Sequence, residues 1–372
     1  MRLNHFTKND TKVIRLIAIT WIITKLICYN LWLAERLFPL VPIHTSLSLV
    51  PAFFHTLIFA VSIAGMVWFL FFPRKKIMIA ILLMEILSCC LDQNRWQPWE
   101  YQFLFMGAAY VMSQNEKQTI ILWQLIITGL FFFSGLFKFN SSFIHDVWQH
   151  LILNQWLGIT NPGINLVRAG YCLPLLEMLS ALGLYFTFTR KASVLILCAM
   201  HLFILLLLGP IGLNINAVVW PWNLLMIGLL FLILYRHKIE ITRAAMLHRL
   251  TWVILLFWWT LPWLQLAGYW DKYLSSVLYG GGVEQLYICV NNIEAQSEMA
   301  GYIQHKFWLI PCSSVLPVFN WGVKEMKTAP YPEPRIYKAI IKEWEKRYPN
   351  SRSRYFIYRS GFAPSLTEMY YP

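Results

Sequence analysis

A succession of long apolar stretches, broken only by short polar turns, constrains this chain more than any other feature. The stretches fall at 13–33, 50–72, 77–91, 100–112, 119–137, 166–188, 192–208, 217–235 and 250–267. A helix that crosses a bilayer needs about 20 apolar residues, somewhat fewer when its flanks reach the interface. In hydrocarbon every backbone N–H and C=O must find a partner within the protein, so such stretches are read as helices. The composition agrees, because 58% of the 372 residues are hydrophobic and 13% are charged. A soluble domain carries about a quarter charged residues. The 18 Trp and 25 Phe suit aromatic belts at the two membrane interfaces. The expected fold is therefore an all-α polytopic membrane helical bundle of about nine transmembrane helices. It occupies 1–267, and a small α+β extracytoplasmic C-terminal region occupies 268–372.

The formal charge of +13 would suggest a nucleic-acid partner in a soluble chain. In a membrane chain it bears on orientation instead, and no nucleic-acid partner is expected. With the N-terminus inside, the inner segments and their flanks hold Arg2, Lys8, Lys12, Arg15, Arg74, Lys75, Lys76, Lys117, Arg190, Lys191, Arg236, Lys238, Arg243 and Arg249. The outer ones hold Arg36, Arg95, Lys138 and Arg168. That asymmetry obeys the positive-inside rule and puts the tail outside. The first span begins like a signal peptide, but no small-residue cleavage site precedes Ala34-Glu35-Arg36, so it is expected to be retained. The expected location is a bacterial inner membrane, with a cytoplasmic N-terminus and lipid as the main partner.

Outer loop 139–165 carries Phe143, Val147, Trp148, Leu151 and Ile152 at helical spacing, which predicts an amphipathic helix on the interface. In the tail, Val283 to Val290 alternates in part and predicts a strand, as does Arg354 to Tyr358. Pro330, Pro332 and Pro334 form an extended spacer before a helix over 335–347. Cys28, Cys89, Cys90, Cys172 and Cys198 read as small hydrophobes. Cys289 and Cys312 lie in the tail, where an extracytoplasmic setting would permit a disulfide.

Polar groups within membrane stretches mark sites by default. Lys138 stands at the end of the fifth span, after Phe131-Phe132-Phe133-Ser134-Gly135-Leu136-Phe137. The bland reading is a lysine snorkelling to headgroups. The sharper reading makes it a general base, desolvated by phenylalanines, with Gly135 letting a second helix close in. The third outer turn, Asp92 to Tyr101, is dense in polar groups. Asp92 and Arg95 could pair there, and Trp96 and Trp99 could anchor the interface. His201 and Glu177 read as isolated intramembrane groups, each more readily structural than functional. Asn214, Asn216 and Asn223 could line a polar site after Gly209-Pro210. His145, Asp146 and His150 raise a metal, but residues five apart do not share the face of an α-helix, and no ligand set is visible.

The run Phe132 to Phe143 resembles the lysine segment of the horizontally transferred transmembrane family, best known for the vitamin K-dependent γ-glutamyl carboxylases. Leu91 to Tyr101, the His201 span and Tyr269 to Gly281 follow in the family's order. The resemblance spans roughly 85–235 and implies that Lys138 is the catalytic base toward a quinone or vitamin K hydroquinone. Arg95, Trp96, Trp99, His201 and Asn216 would then line an apolar, outward-opening quinone pocket. Three features depart from the family pattern, one being a tail much shorter than the large luminal part of the animal carboxylases. Gln97-Pro98-Trp99-Glu100 replaces its outer-turn histidine, and Leu202 to Leu208 replaces polar residues after His201. The competing reading is a non-catalytic membrane module whose tail binds a protein partner. A transporter is disfavoured, since neither an inverted repeat nor paired charges near mid-membrane are evident in the sequence.

Overall fold

The computed structural model describes residues 8–237, 248–305, 310–349, 351–361 and 363–369. Arg2, Lys238 and Arg243 of the inner basic set lie outside the described residues. Among the described residues, a helix occupies each of the expected apolar stretches. These are α1 (Lys8–Ile27), α2 (Ala52–Phe71), α3 (Lys75–Leu91), α4 (Pro98–Met112) and α5 (Glu116–Leu136). After helix α6 (Phe143–Trp156) come α7 (Ile164–Gly183), α8 (Arg190–Leu208), α9 (Val219–Tyr235) and α10 (Arg249–Ala267). Five of them, α2, α5, α7, α8 and α10, are long and apolar enough to cross a membrane. The others are shorter or carry more charge. Helix α4, for example, has 15 residues and starts with Pro98 in its first turn, where the missing N–H costs nothing.

Helix α5 is the axis of the bundle. Of its most apolar window 83% is buried, against 28–33% for the other four long helices, whose remaining surface is hydrocarbon suited to lipid. Its packing on α7 depends on Gly135. A Cβ there would stand 2.8 Å from Met178 N and 2.9 Å from Pro174 O, closer than packed atoms allow. Only a glycine lets the two backbones meet, as small residues do at membrane helix crossings.

Helix α6 corrects the sequence reading in one respect. It is wound with i→i+5 hydrogen bonding rather than as an α-helix. Residues five apart therefore do share a face, and the rings of His145 and His150 meet edge to face with centroids 4.7 Å apart. Among the described residues no group of three or more His, Cys, Asp or Glu is placed to hold a metal ion.

The tail is a five-stranded antiparallel sheet in the order β2-β3-β1-β4-β5, with helices against it. The strands are β1 (Gln285–Cys289), β2 (Gln304–His305), β3 (Ser314–Pro317), β4 (Arg354–Arg359) and β5 (Ser365–Met369). The helices are α11 (Ile293–Glu298), α12 (Val318–Met326) and α13 (Pro334–Arg347). Helix α13 buries Ile336, Ile340 and Trp344, recurring at the spacing of one helix face. Cys289 and Cys312 are joined, their Cα atoms 6.0 Å apart.

This domain seats on the end of the bundle where α3 finishes. Tyr331 N donates to Asn94 Oδ1 at 3.1 Å, and Arg335 Nε donates to Gln93 Oε1 at 3.0 Å. The basic turn Arg74-Lys75-Lys76 begins α3 and so lies at the far end. Asp271 grips both Tyr331 and Arg335, and this pairing pushes the Arg335 guanidinium above its ordinary range. Glu333 accepts the backbone N–H of Lys272 at 2.8 Å, yet burial still pushes its carboxyl upward.

Candidate functional site

Two cavities occupy the half of the bundle next to the tail. The larger, about 380 Å³, lies among α5, α6, α7, α8 and α9. Its walls are Leu, Ile, Phe and Met side chains, interrupted by Ser134, Lys138, Glu177, His201, Asn223 and Tyr279. Binding pockets for small molecules run from about 300 to 1,000 Å³ and are mostly apolar, with a few placed polar groups.

Each polar group arrives from a different element. Lys138 follows the C-terminal end of α5. Its Nζ donates to Ser134 Oγ at 2.8 Å, one turn back, and to Glu177 Oε2 on α7 at 2.5 Å. The Gly135 crossing brings the two helices close enough for this pair, because Met178, whose backbone meets that glycine, is the residue after Glu177. Little of either side chain is exposed, 13% for Lys138 and 8% for Glu177. A pair held out of water needs both partners, since either one alone would be an uncompensated charge.

His201 enters from α8, with its ring 5.4 Å from that of Phe131. Asn223 Nδ2 donates to Val219 O at 2.7 Å, which fixes the orientation of the amide. Asn223 Oδ1 then faces His201 Nδ1 at 2.7 Å and must accept from it. The hydrogen therefore sits on Nδ1, and Nε2 is left as an acceptor. Nε2 is buried and has no hydrogen-bond partner among the described residues. A buried polar atom without a partner calls for an explanation, and a ligand donor in the cavity supplies one.

The smaller cavity, about 190 Å³, lies between the bundle and the tail. Trp99, Asn216, Thr328, Tyr273 and Tyr337 are among its lining residues. The two cavities share Val219, Trp222, Leu278 and Tyr279 as lining, so a thin wall divides them. Asn216 Nδ2 donates to the Tyr279 oxygen in that wall.

The residues singled out in the sequence are thus distributed over three places. Lys138 and His201 face the larger cavity, and Trp99 and Asn216 face the smaller one. Arg95 lines neither cavity. It is fully buried, and it donates to Leu31 O at 3.0 Å, Trp32 O at 2.9 Å and Ser88 O at 3.0 Å, with His55 Nδ1 at 3.0 Å. Asp92 pairs with Arg36 rather than with Arg95. Trp96, partly buried, packs on the same core. Arg95 is therefore a fastener that ties the α1–α2 connection to the end of α3. Glu177, taken as isolated, proves to be the partner of Lys138. No sequence spacing links residues on different helices, so only the Gly135 crossing could have hinted at it.

A second buried network lies deeper, among α1 to α4. Lys25 Nζ meets Glu85 Oε2 at 2.6 Å, Ser62 also bonds Glu85, and Trp21 Nε1 donates to Glu100 Oε2 at 2.6 Å. None of these residues lines either cavity, and the network reads as interhelical fastening.

Compared with known proteins, the chain matches no family model, no curated protein and no solved structure. The likeness to the carboxylase-like family accordingly stands on the residues quoted above.

Proposed function

We propose that this chain is a polytopic protein with nine crossings, its N-terminus cytoplasmic and its tail extracytoplasmic, whose larger cavity binds a lipid-soluble quinone or hydroquinone for proton transfer at the outer face. The orientation is supported by the basic turn Arg74-Lys75-Lys76 at the end of α3 remote from the tail, and by the joined cysteines of the tail. A bacterial inner membrane meets both conditions.

One observation carries the functional reading. An ammonium–carboxylate pair and an unpartnered imidazole nitrogen face a single apolar cavity of about 380 Å³. Such a cavity suits a ring that bears both hydrogen-bond donors and acceptors at its edge. Lys138 would donate to a ring oxygen, and His201 Nε2 would accept from a ring hydroxyl. Bound there, a hydroquinone would supply an acidic hydroxyl and a redox couple. Glu177 provides a second proton carrier beside Lys138, and proton transfer by side chains so positioned is general acid–base catalysis. In the carboxylase-like family the corresponding lysine acts as a base. The Glu177 partner here makes the Lys138–Glu177 pair, rather than a lone amine, the proton-handling unit. The walls of Phe131, Phe143 and Leu207 exclude water from it.

The test is a titration of purified protein in detergent with a menaquinol analogue kept reduced, comparing wild type with Lys138→Ala and His201→Ala. Saturable wild-type binding that weakens in both variants supports the reading. Binding that is absent, or indifferent to both substitutions, rejects it.

A further inference from the structure

The larger cavity has one wall that is also an outer surface. Leu176 on α7 and Ile196 on α8 both line it, yet they are 45% and 36% exposed. Ala199 is likewise a lining residue and exposed, and Leu173, Met200 and Ile204 are intermediate. A side chain lines a cavity and also lies on the molecular surface where that cavity opens or where its wall is a single side chain thick. Helices α7 and α8 are both long and apolar enough to cross a membrane, so an opening here faces hydrocarbon rather than water.

On the side of the tail the cavity adjoins the smaller one, and Tyr279, which lines both, is 39% exposed. Toward the tail stands the wall of Val219, Trp222, Leu278 and Tyr279, held by the Asn216 bond. Four of the polar groups lie away from the opening, while Lys138 is part-buried and Tyr279 is exposed. Ser134, Glu177, His201 and Asn223 are all buried, whereas the residues at the opening are hydrocarbon throughout. The cavity is thus graded, with a hydrogen-bonding end inside and an apolar mouth on the lipid side.

We propose that the slot between α7 and α8 is a lateral portal, through which an amphiphile with a polar ring and a long hydrocarbon chain enters from the bilayer and leaves its chain in the mouth. The polar ring rests on the quinone reading above; the portal adds the route and the chain. Leu176 and Ile196 then set how well the chain is accepted, without touching the ring.

The experiment uses the full chain in lipid nanodiscs and two probes, menadione, which has no chain, and a menaquinone carrying an isoprenoid chain. The variants are Leu176→Trp with Ile196→Trp, which fills the mouth, and Leu176→Ala with Ile196→Ala, which widens it. Leu195→Trp serves as control, since Leu195 is 56% exposed and lines neither cavity. Filling the mouth should weaken the chain-bearing probe roughly tenfold, the cost of losing a few buried methylenes of contact. Menadione should bind all forms alike, and the widened form should take up the chain-bearing probe faster. Normal menadione binding, with chain-bearing affinity and uptake unchanged in both double variants, overturns the portal alone. So does an equal effect from Leu195→Trp. Failure of both probes to bind the wild type overturns the quinone reading, and the portal with it.

Discussion

Lys138 Nζ lies 2.5 Å from Glu177 Oε2, joining the end of α5 to the middle of α7 beneath the tail. A lysine at the end of an apolar helix ordinarily reaches for headgroups. This one turns inward to a carboxylate on a neighbouring helix and to Ser134 on its own. The pair places charge against an otherwise hydrocarbon cavity, and both partners depend on the same helix crossing.

That dependence makes the pair indivisible. Lys138→Met leaves Glu177 buried without a counter-charge, and Glu177→Leu does the same to Lys138. Each single change should destabilise the protein by about 3–5 kcal/mol, while the double replacement by apolar residues restores most of it. Thermal unfolding of the four forms in one detergent measures this. Additive losses would show that the two side chains act independently.

Gly135 sets the crossing. A Cβ at this position meets Met178 N at 2.8 Å, so Gly135→Ala must push α7 away and Gly135→Val must push it further. Overpacking of this kind costs about 1–3 kcal/mol. Ligand affinity should fall in the order wild type, alanine, valine, because the displacement separates Glu177 from Lys138. Titration of the three forms with the menaquinol analogue checks the order.

Arg95 serves the fold rather than the cavity. Arg95→Ala strands the carbonyls of Leu31, Trp32 and Ser88 in the interior, at a cost of about 1–3 kcal/mol for each acceptor left bare. Lysine should not rescue it, since one ammonium cannot reproduce the fork of a guanidinium. Yield and melting temperature should drop sharply, while the protein that does fold should bind quinone with wild-type affinity. A selective loss of affinity at unchanged stability would return Arg95 to the site.

The tail depends on its cysteine pair. Cys289→Ser removes the link between β1 and the segment before β3, and should cost about 2–4 kcal/mol of tail stability. Limited proteolysis should then cut the tail while leaving the bundle intact, and mobility on a non-reducing gel should change. A bundle that loosens along with the tail would mean that the two fold as one unit.

How much of this was legible in the sequence follows from the reach of each signal. Apolar runs located the helices, because in lipid a helix and an apolar run are nearly the same statement. Strands β1 and β4 were legible because their inward residues, such as Leu286, Ile288, Tyr355 and Phe356, pack on a core. Strands β2 and β5 were not, since Gln304 and His305 are exposed, as are Ser365, Leu366 and Thr367, and carry no apolar alternation. The winding of α6 was hidden because a 3.6-residue period was assumed, and that assumption set His145 and His150 apart. At the site, Lys138 stood out as a charge amid phenylalanines, and Gly135 announced a close crossing. Glu177 and Asn223 were visible as polar groups in apolar stretches, but their pairing with Lys138 and His201 was not, because those partners stand on other helices. Arg95 stood out for the same reason as Lys138, yet its charge is spent on backbone carbonyls.

The most direct measurement is photolabelling with an azido-naphthoquinone carrying an isoprenoid chain, followed by mapping of the modified peptides. The account predicts saturable labels on 130–138, 173–177 and 200–208, suppressed by excess unlabelled menaquinone and reduced in His201→Ala. Labels spread over the lipid-facing surfaces of α2 and α3, unaffected by competitor and by the His201 change, would contradict it.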